Sequence, residues 1–260
     1  MATPLEPRPP RPAARARVIV VLPAYNEERS LGTLLERLDR AMREDDLPYE
    51  VVVVDDGSSD GTTRLVGRYA GDLPVRLERH PVNLGLGATI RDGLKSAVAV
   101  AADDDIVVAM DADNTHSPGL IRSMVGAIRE GADVVIASRY RPGSRIRGVP
   151  WHRRALSLGA RVLLQVVFPI PGVRDYTCGY RAYRARVLRD AFGRYGDDFV
   201  SQAGFQCMVD ILLKLRRLDA IVREVPLILR YDFKQGASKM KVARTIVQSL
   251  ALIARRRFRG

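Results

Sequence analysis

The sequence predicts an α/β domain built on a mostly parallel central sheet with helices on both faces. Short valine-rich apolar runs alternate with longer segments whose leucines recur at helical spacing, and strand-helix alternation closes most simply into parallel pairs. The 260 residues, 47% apolar and 28% charged, suffice for one sizeable core without disulfide or metal staples.

The first seventeen residues, MATPLEPRPPRPAARAR, alternate proline with arginine and are expected to form a disordered basic tail, residues 1–17. VIVVLPAY then reads as a buried strand from Val18, and NEERSLGTLLERLDRAM as a helix with Leu31, Leu34, Leu35 and Leu38 on one face. EVVVVDDGSSDGTTRLVGRYA repeats the pattern, with a strand over Val51 to Val54 and a helix starting near Asp60. PVRLERHPVNLGLGATIRDGLKSAVAVA and DIVVAMDADNTHSPGLIRSMVGAIRE give two further rounds, and ADVVIASRY a fifth strand. Beyond Arg139 the composition changes, because RYRPGSRIRGVPWHRRALSLGAR holds seven arginines and no acidic residue. From about 151 to 168, Leu156, Ala160, Leu163 and Val167 fall on one helical face, with Arg153, Arg154 and Arg161 mostly elsewhere. That predicts a basic amphipathic helix. The helix GFQCMVDILLKLRRL and the strand AIVREVPLILRYDF complete a domain expected over 18–238. Residues 239–260 form a basic amphipathic segment, with Val242, Ile246 and Leu250 at four-residue spacing before Arg255, Arg256, Arg257 and Arg259.

A net charge of +12 draws nucleic acid, anionic lipid or phosphorylated ligands without choosing among them. Two distant cysteines, Cys178 and Cys207, and the three histidines His80, His116 and His152 assemble no plausible zinc cluster, so reduced thiols in a cytosolic protein are expected. No stretch approaches the roughly 20 apolar residues of a membrane span, and no signal peptide is evident, so a chain neither secreted nor membrane-spanning is expected. Asn83-Leu84-Gly85-Leu86-Gly87-Ala88 fails as a dinucleotide fingerprint, since Ile90 stands where the third glycine belongs. The phosphate-loop motif is absent, as is any recognisable nucleic-acid-binding motif.

Chemistry concentrates at the strand ends. Asp111-Ala112-Asp113 follows DIVVAM, and carboxylates two apart on a strand face the same way and can converge on one hard cation. Asp55-Asp56-Gly57-Ser58 and Tyr25-Asn26-Glu27 end the preceding strands, so three acidic clusters are expected along the carboxyl edge where α/β sheets bind ligands. Helix capping is the plainer reading and accounts well for Asp60 and Ser58, less well for two consecutive aspartates.

Together, LPAYNEE, VVVVDDGSSDGT, NLGLGATIRDGL, MDADNTHSP, ASRY, WHRRALSLGAR, RDYTCGYRAYR and EVPLILRYDFKQGASKMK resemble, in order and spacing, the family 2 glycosyltransferases of the GT-A fold. Within that family the resemblance is to the dolichol- or polyprenyl-phosphate mannose synthases. It implies that Pro23, Tyr25, Glu27, Val54 and Asp56 hold the nucleotide, and that Asp111, Ala112 and Asp113 form the sugar-nucleotide and metal motif, with Asp113 the direct ligand. It further implies that Arg139, Arg153 and Ser157 grip the diphosphate or the lipid phosphate and that Lys239 meets the donor phosphate. Where many relatives supply a metal-binding glutamine this chain has Thr115, a shorter oxygen that would join Asp111 and Asp113 at the metal through water, and where many have an arginine before the final lysine it has Phe233, with Arg230 and Lys234 the nearby cations. The implied activity is an inverting transfer of mannose from GDP-mannose to a polyprenyl phosphate, dependent on Mg2+ or Mn2+. Its partners would include an anionic membrane surface and no nucleic acid, with a cytoplasmic, peripheral location at the inner face of the membrane. The alternative is a soluble saccharide or secondary-metabolite acceptor, whose hydroxyl would need a general base such as Asp175.

Overall fold

The apolar runs become strands whose alternate residues serve two different cores. The computed structural model describes residues 16–149, 151–204 and 206–230, with the side chains of 151–156 and 230 outside that description. In chain order the first half comprises β1 (Val18–Ala24), α1 (Glu28–Glu44), β2 (Tyr49–Asp55), α2 (Thr62–Tyr69), β3 (Val75–Arg79), α3 (Leu86–Val100) and β4 (Ile106–Ala109). The second half comprises α4 (Ile121–Arg129), β5 (Val134–Ser138), β6 (Arg145–Arg147), α5 (Trp151–Val167), β7 (Arg181–Arg184), α6 (Ala185–Tyr195), α7 (Cys207–Arg216), β8 (Val222–Pro226) and β9 (Ile228–Arg230). In β1, Val18, Val20 and Leu22 pack with α1 and α4, whereas Ile19 and Val21 pack with α3 and α6. Helices therefore cover both faces, as the period-two burial of a twisted sheet requires.

The seven strands run in the order β3-β2-β1-β4-β7-β5-β8. All neighbours are parallel except β7, which pairs antiparallel with both β4 and β5. Strand order reverses between β1 and β4, so the loops leaving those two strands diverge to opposite faces and open a crevice at their carboxyl ends. LPAYNEE and MDADNTHSP flank that crevice.

Four details depart from the sequence reading. Arg17, assigned to the tail, is pinned to the body: its Nη1 meets Glu50 at 2.9 Å and its Nη2 donates to the Val100 carbonyl at 2.8 Å. RDYTCGYRAYR contains a strand, β7, hidden in sequence because it is four residues long and half arginine. AIVREVPLILRYDF is two strands rather than one. β8 ends at Pro226, which has no amide hydrogen to donate, and β9 pairs with β6 in a separate ribbon. Finally, α5 meets the core through Leu164, which is not one of the four apolar-face positions named from the sequence. Among the described side chains of α5, Leu164 is the buried apolar one, joining Ile170, Val173 and Tyr176 in the core, while Leu158, Val162, Leu163 and Val166 stay 39–75% exposed. No described helix is long and apolar enough to cross a membrane. Residues 1–15 of the expected tail, Phe233, Lys234, Lys239 and the segment 239–260 lie outside the described residues.

Candidate active site

The loops after β1 and β2 are stitched together by short polar side chains. Asn26, at φ 52°, accepts from the Ser59 amide at 2.8 Å, and its own amide donates to Ser58 Oγ at 2.9 Å. The Glu27 amide donates to Thr62 Oγ1 at 2.9 Å, and Glu27 Oε2 accepts from Ser30 Oγ at 2.6 Å. Asp60 accepts from the Thr62 amide at 2.9 Å, but the N-cap of α2 is Gly61, so Asp60 steadies the turn one residue outside the cap position expected of it. Tyr25 projects from this turn at 37% exposure, and Pro23 lies beside Val54 in the β1-β2 register. Val54 is fully buried, its side chain packed towards Gly93 of α3, so it builds the core rather than a ligand-facing surface.

The two consecutive aspartates divide their work. Asp55 accepts from the Ser58 amide at 2.9 Å and from the Thr63 hydroxyl, closing the turn into α2. Asp56 accepts from the amides of Leu84 and Gly85 at 2.8 and 2.9 Å, and its Oδ1 lies 2.8 Å from His80 Nδ1. His80 Nε2 in turn lies 3.2 Å from Asp92. Asp56 therefore holds the NLGLG loop against the sheet edge. The sequence signal for this is His80, which enters above only as a possible zinc ligand.

Asp111 and Asp113 lie past the end of β4, so loop geometry rather than strand alternation places them. Asn114, at φ 61°, turns the loop and accepts from Arg37 of α1. Asp113 Oδ1 accepts from the Thr115 hydroxyl at 2.7 Å and from its amide at 3.2 Å. The Asp111 amide donates to His116 Nδ1 at 3.4 Å, and the His116 ring stacks on Tyr180 with centroids 4.9 Å apart. Ala112 is buried in the core. The three acidic clusters do end neighbouring strands, yet among the described residues no group of three or more His, Cys, Asp or Glu gathers to hold a metal ion. Any cation at Asp111 and Asp113 must complete its shell from water and ligand.

Across the crevice, Arg139 leaves β5 and forms a two-pronged pair with Asp175, Nε to Oδ2 at 2.8 Å and Nη2 to Oδ1 at 2.7 Å. Asp175 is fully buried and also accepts from the amides of Arg139 and Cys178 at 3.1 Å each. Burial pushes its carboxyl upward, but the charge and hydrogen bonds of Arg139 outweigh that and hold it below the usual carboxylate range. Glu224 supports the same turn, its Oε1 accepting from the amides of Arg174 and Asp175 at 2.6 and 2.7 Å. This network was missed in sequence, where Asp175 read as a turn or a base, because 36 residues separate the partners. Burial also pushes the thiols of Cys178 and Cys207 up to about 12, which makes them inert packing groups. Ser157 is half-buried on α5; Arg153 sits one turn earlier, its side chain outside the described set.

A mostly parallel sheet with polar and acidic loops converging at its switch point, faced by a fixed arginine, defines a GT-A nucleotide-sugar transferase fold. The family profile described as Glycosyl transferase family 2 matches residues 19–192. A dolichol-phosphate mannosyltransferase of Pyrococcus furiosus is 32% identical over 92% of the chain, which spans 63% of that relative's length. A polyprenol monophosphomannose synthase of Mycolicibacterium smegmatis is 32% identical over 86% of the chain and 81% of its own. An undecaprenyl-phosphate mannosyltransferase of Micrococcus luteus is 34% identical over 86% of the chain and 87% of its own. Among solved structures, glucosyl-3-phosphoglycerate synthase from Mycobacterium tuberculosis, in complex with Mn2+, uridine diphosphate and phosphoglyceric acid, shares the fold. It matches with a TM-score of 0.67 at 22% identity, over 93% of this chain and 78% of that one. The chain belongs to glycosyl transferase family 2 and is a glycosyltransferase.

Proposed function

We propose that the protein transfers mannose from GDP-mannose to a polyprenyl phosphate, working at the cytoplasmic, inner face of an anionic membrane. The observation that carries this reading is α5, which bears Ser157 on the same helix as an exposed apolar stripe of Leu158, Val162, Leu163 and Val166. A stripe of that kind suits an acceptor presented from lipid. The names of the three mannosyltransferase relatives agree with it.

The pairing of Asp175 with Arg139 favours a phosphate over a hydroxyl acceptor. A hydroxyl needs a general base, and Asp175 is buried with both oxygens engaged. A phosphate monoester, with a second pKa near roughly 6, is already nucleophilic at neutral pH. In the transfer an acceptor oxygen bonds to the anomeric carbon as the bond to the nucleoside diphosphate breaks, with inversion. Arg153 and Ser157 hold the acceptor phosphate, while Arg139 and Lys239 place positive charge beside the leaving diphosphate, so that two anions approach without prohibitive repulsion.

Asp111 and Asp113 offer oxygen donors that suit Mg2+ or Mn2+, and Thr115 steadies Asp113 through its 2.7 Å hydrogen bond. When bound there, the ion supplies Lewis acidity towards the departing diphosphate. Incubation with labelled GDP-mannose tests the reading against other nucleotide sugars and against soluble saccharide acceptors. Label is expected in the organic phase with polyprenyl phosphate and to be lost with excess chelator. Label appearing in a soluble saccharide instead overturns the acceptor assignment.

A further inference from the structure

On the reading above, Arg139 at the end of β5 and Arg153 and Ser157 on α5 serve phosphates of one transfer, so the helix and the strand end must keep a fixed relation. A link between them lies in the aromatic residue that follows Arg139. The guanidinium carbon of Arg161, on α5, lies 4.6 Å from the centroid of the Tyr140 ring, and that of Arg139 lies 5.5 Å from the same centroid. Both fall within the roughly 6 Å at which a ring quadrupole attracts a cation. Among the described residues Arg161 pairs with no carboxylate, so a surface ion pair does not explain its placement. Arg161 is nonetheless steadied: Nε donates to Gln165 Oε1 at 3.2 Å, and Gln165 Nε2 donates to the Val173 carbonyl at 3.2 Å, two residues before Asp175. The Asp175 pairing fixes one edge of Arg139, and the Ser144 hydroxyl holds its carbonyl at 2.7 Å.

We propose that Tyr140 and Arg161 are positioning residues that tie the acceptor-side helix α5 to Arg139, so that the seating of α5 sets where Arg139 stands. The proposal rests on the assignment of Arg139 to a substrate phosphate. Ring and cation act as a unit, so loss of either releases the same tie. The aromatic face, rather than the phenol hydroxyl, carries the contact.

Steady-state kinetics with polyprenyl phosphate and GDP-mannose test this on Tyr140→Phe, Tyr140→Leu, Arg161→Gln, the Tyr140→Leu/Arg161→Gln double variant and Arg139→Lys. Thermal unfolding reports on each variant's fold. Tyr140→Leu and Arg161→Gln are each expected to lower kcat about five- to tenfold with little change in the donor KM. Tyr140→Phe should restore kcat to near the parent value, and the double variant should be no slower than the slower single one. Arg161 lies on a helix surface, so Arg161→Gln keeps the test open should Tyr140→Leu fail to fold. An undiminished kcat in Arg161→Gln, or losses that multiply in the double variant, overturns the link. So does a loss in Arg161→Gln that a folded Tyr140→Leu does not share, since Arg161 would then act on the ligand itself. If Arg139→Lys is fully active, the phosphate assignment fails and the link with it; if Arg139→Lys is impaired while both Tyr140→Leu and Arg161→Gln are not, the link alone fails.

Discussion

Asp113 is held from within its own loop, because Thr115 binds it through both hydroxyl and amide. Removing the carboxylate therefore leaves the strands and the Arg37–Asn114 anchor in place while deleting the negative charge that a divalent ion requires. Asp113→Ala is expected to lower turnover by on the order of a thousandfold or more, with unfolding unchanged. Calorimetry should show metal-dependent nucleotide binding lost as well; full activity in this variant rules out the metal assignment. Asp175 gives a residue-scale prediction of a different kind. Its folded carboxyl sits below its usual range because Arg139 outweighs burial, so the pair stabilises the fold above the unfolded carboxylate's pKa of about 3.9. That contribution is lost as the pH falls through the lower, folded value. Asp175→Asn leaves Arg139 without its counter-charge and should cost about 3 kcal/mol at pH 7, a gap that starts to narrow below about pH 4 and closes as the pH falls through the folded value. Urea unfolding over a pH series reads this directly, and a gap independent of pH contradicts the ion-pair account.

At the scale of elements, the NLGLG segment acquires a role that motif matching did not supply. A Cβ on Gly87 would stand 1.8 Å from the Gln202 carbonyl oxygen and 2.8 Å from its carbon, and the Gly87 amide donates to the Ala203 carbonyl at 2.9 Å. The start of α3 is thus a seat for the 201–204 loop, which Lys214 and Asp210 of α7 hold from the other side through Ser201. Gly87→Ala must push backbone against backbone and is expected to destabilise the fold by about 2 kcal/mol, measurable as a lowered urea midpoint. An unshifted midpoint would show that the loop yields freely. The same comparison explains what was readable in the sequence. Strands β1, β2, β4 and β5 were legible because each is buried on both faces and so appears as an unbroken apolar run. Strand β7 was not, because Arg181 is fully buried by donating to the carbonyls of Tyr176, Cys178 and Met208 at 2.8 Å each, and a buried arginine looks like a surface residue in any pattern count. The core-facing side of α5 is not legible for a related reason. Its apolar residues nearly encircle the helix, and sequence alone cannot say which of them meets the core.

The molecule as a whole sets a +12 charge against an exposed apolar helix face, and the membrane proposal depends on the two acting together. Val162 and Val166, 53% and 75% exposed, are one helical turn apart, so both can enter the same interface. Arginines follow at Arg255, Arg256, Arg257 and Arg259 in sequence. Each arginine near an anionic leaflet contributes roughly 1 kcal/mol, which salt weakens, whereas burial of the valines is insensitive to salt screening. Sedimentation with anionic and neutral vesicles can separate the two. The full chain should bind anionic vesicles at low salt and release partly as salt rises. A chain ending at Ala254 should lose much of the salt-sensitive part. Val162→Glu/Val166→Glu, which removes apolar area and adds like charge facing the leaflet, should weaken binding about a hundredfold while leaving thermal unfolding within a few degrees of the parent. If the full chain ignores anionic vesicles even at low salt, the membrane reading fails; if it binds and the glutamate pair does not weaken it, α5 is not the face that meets the lipid.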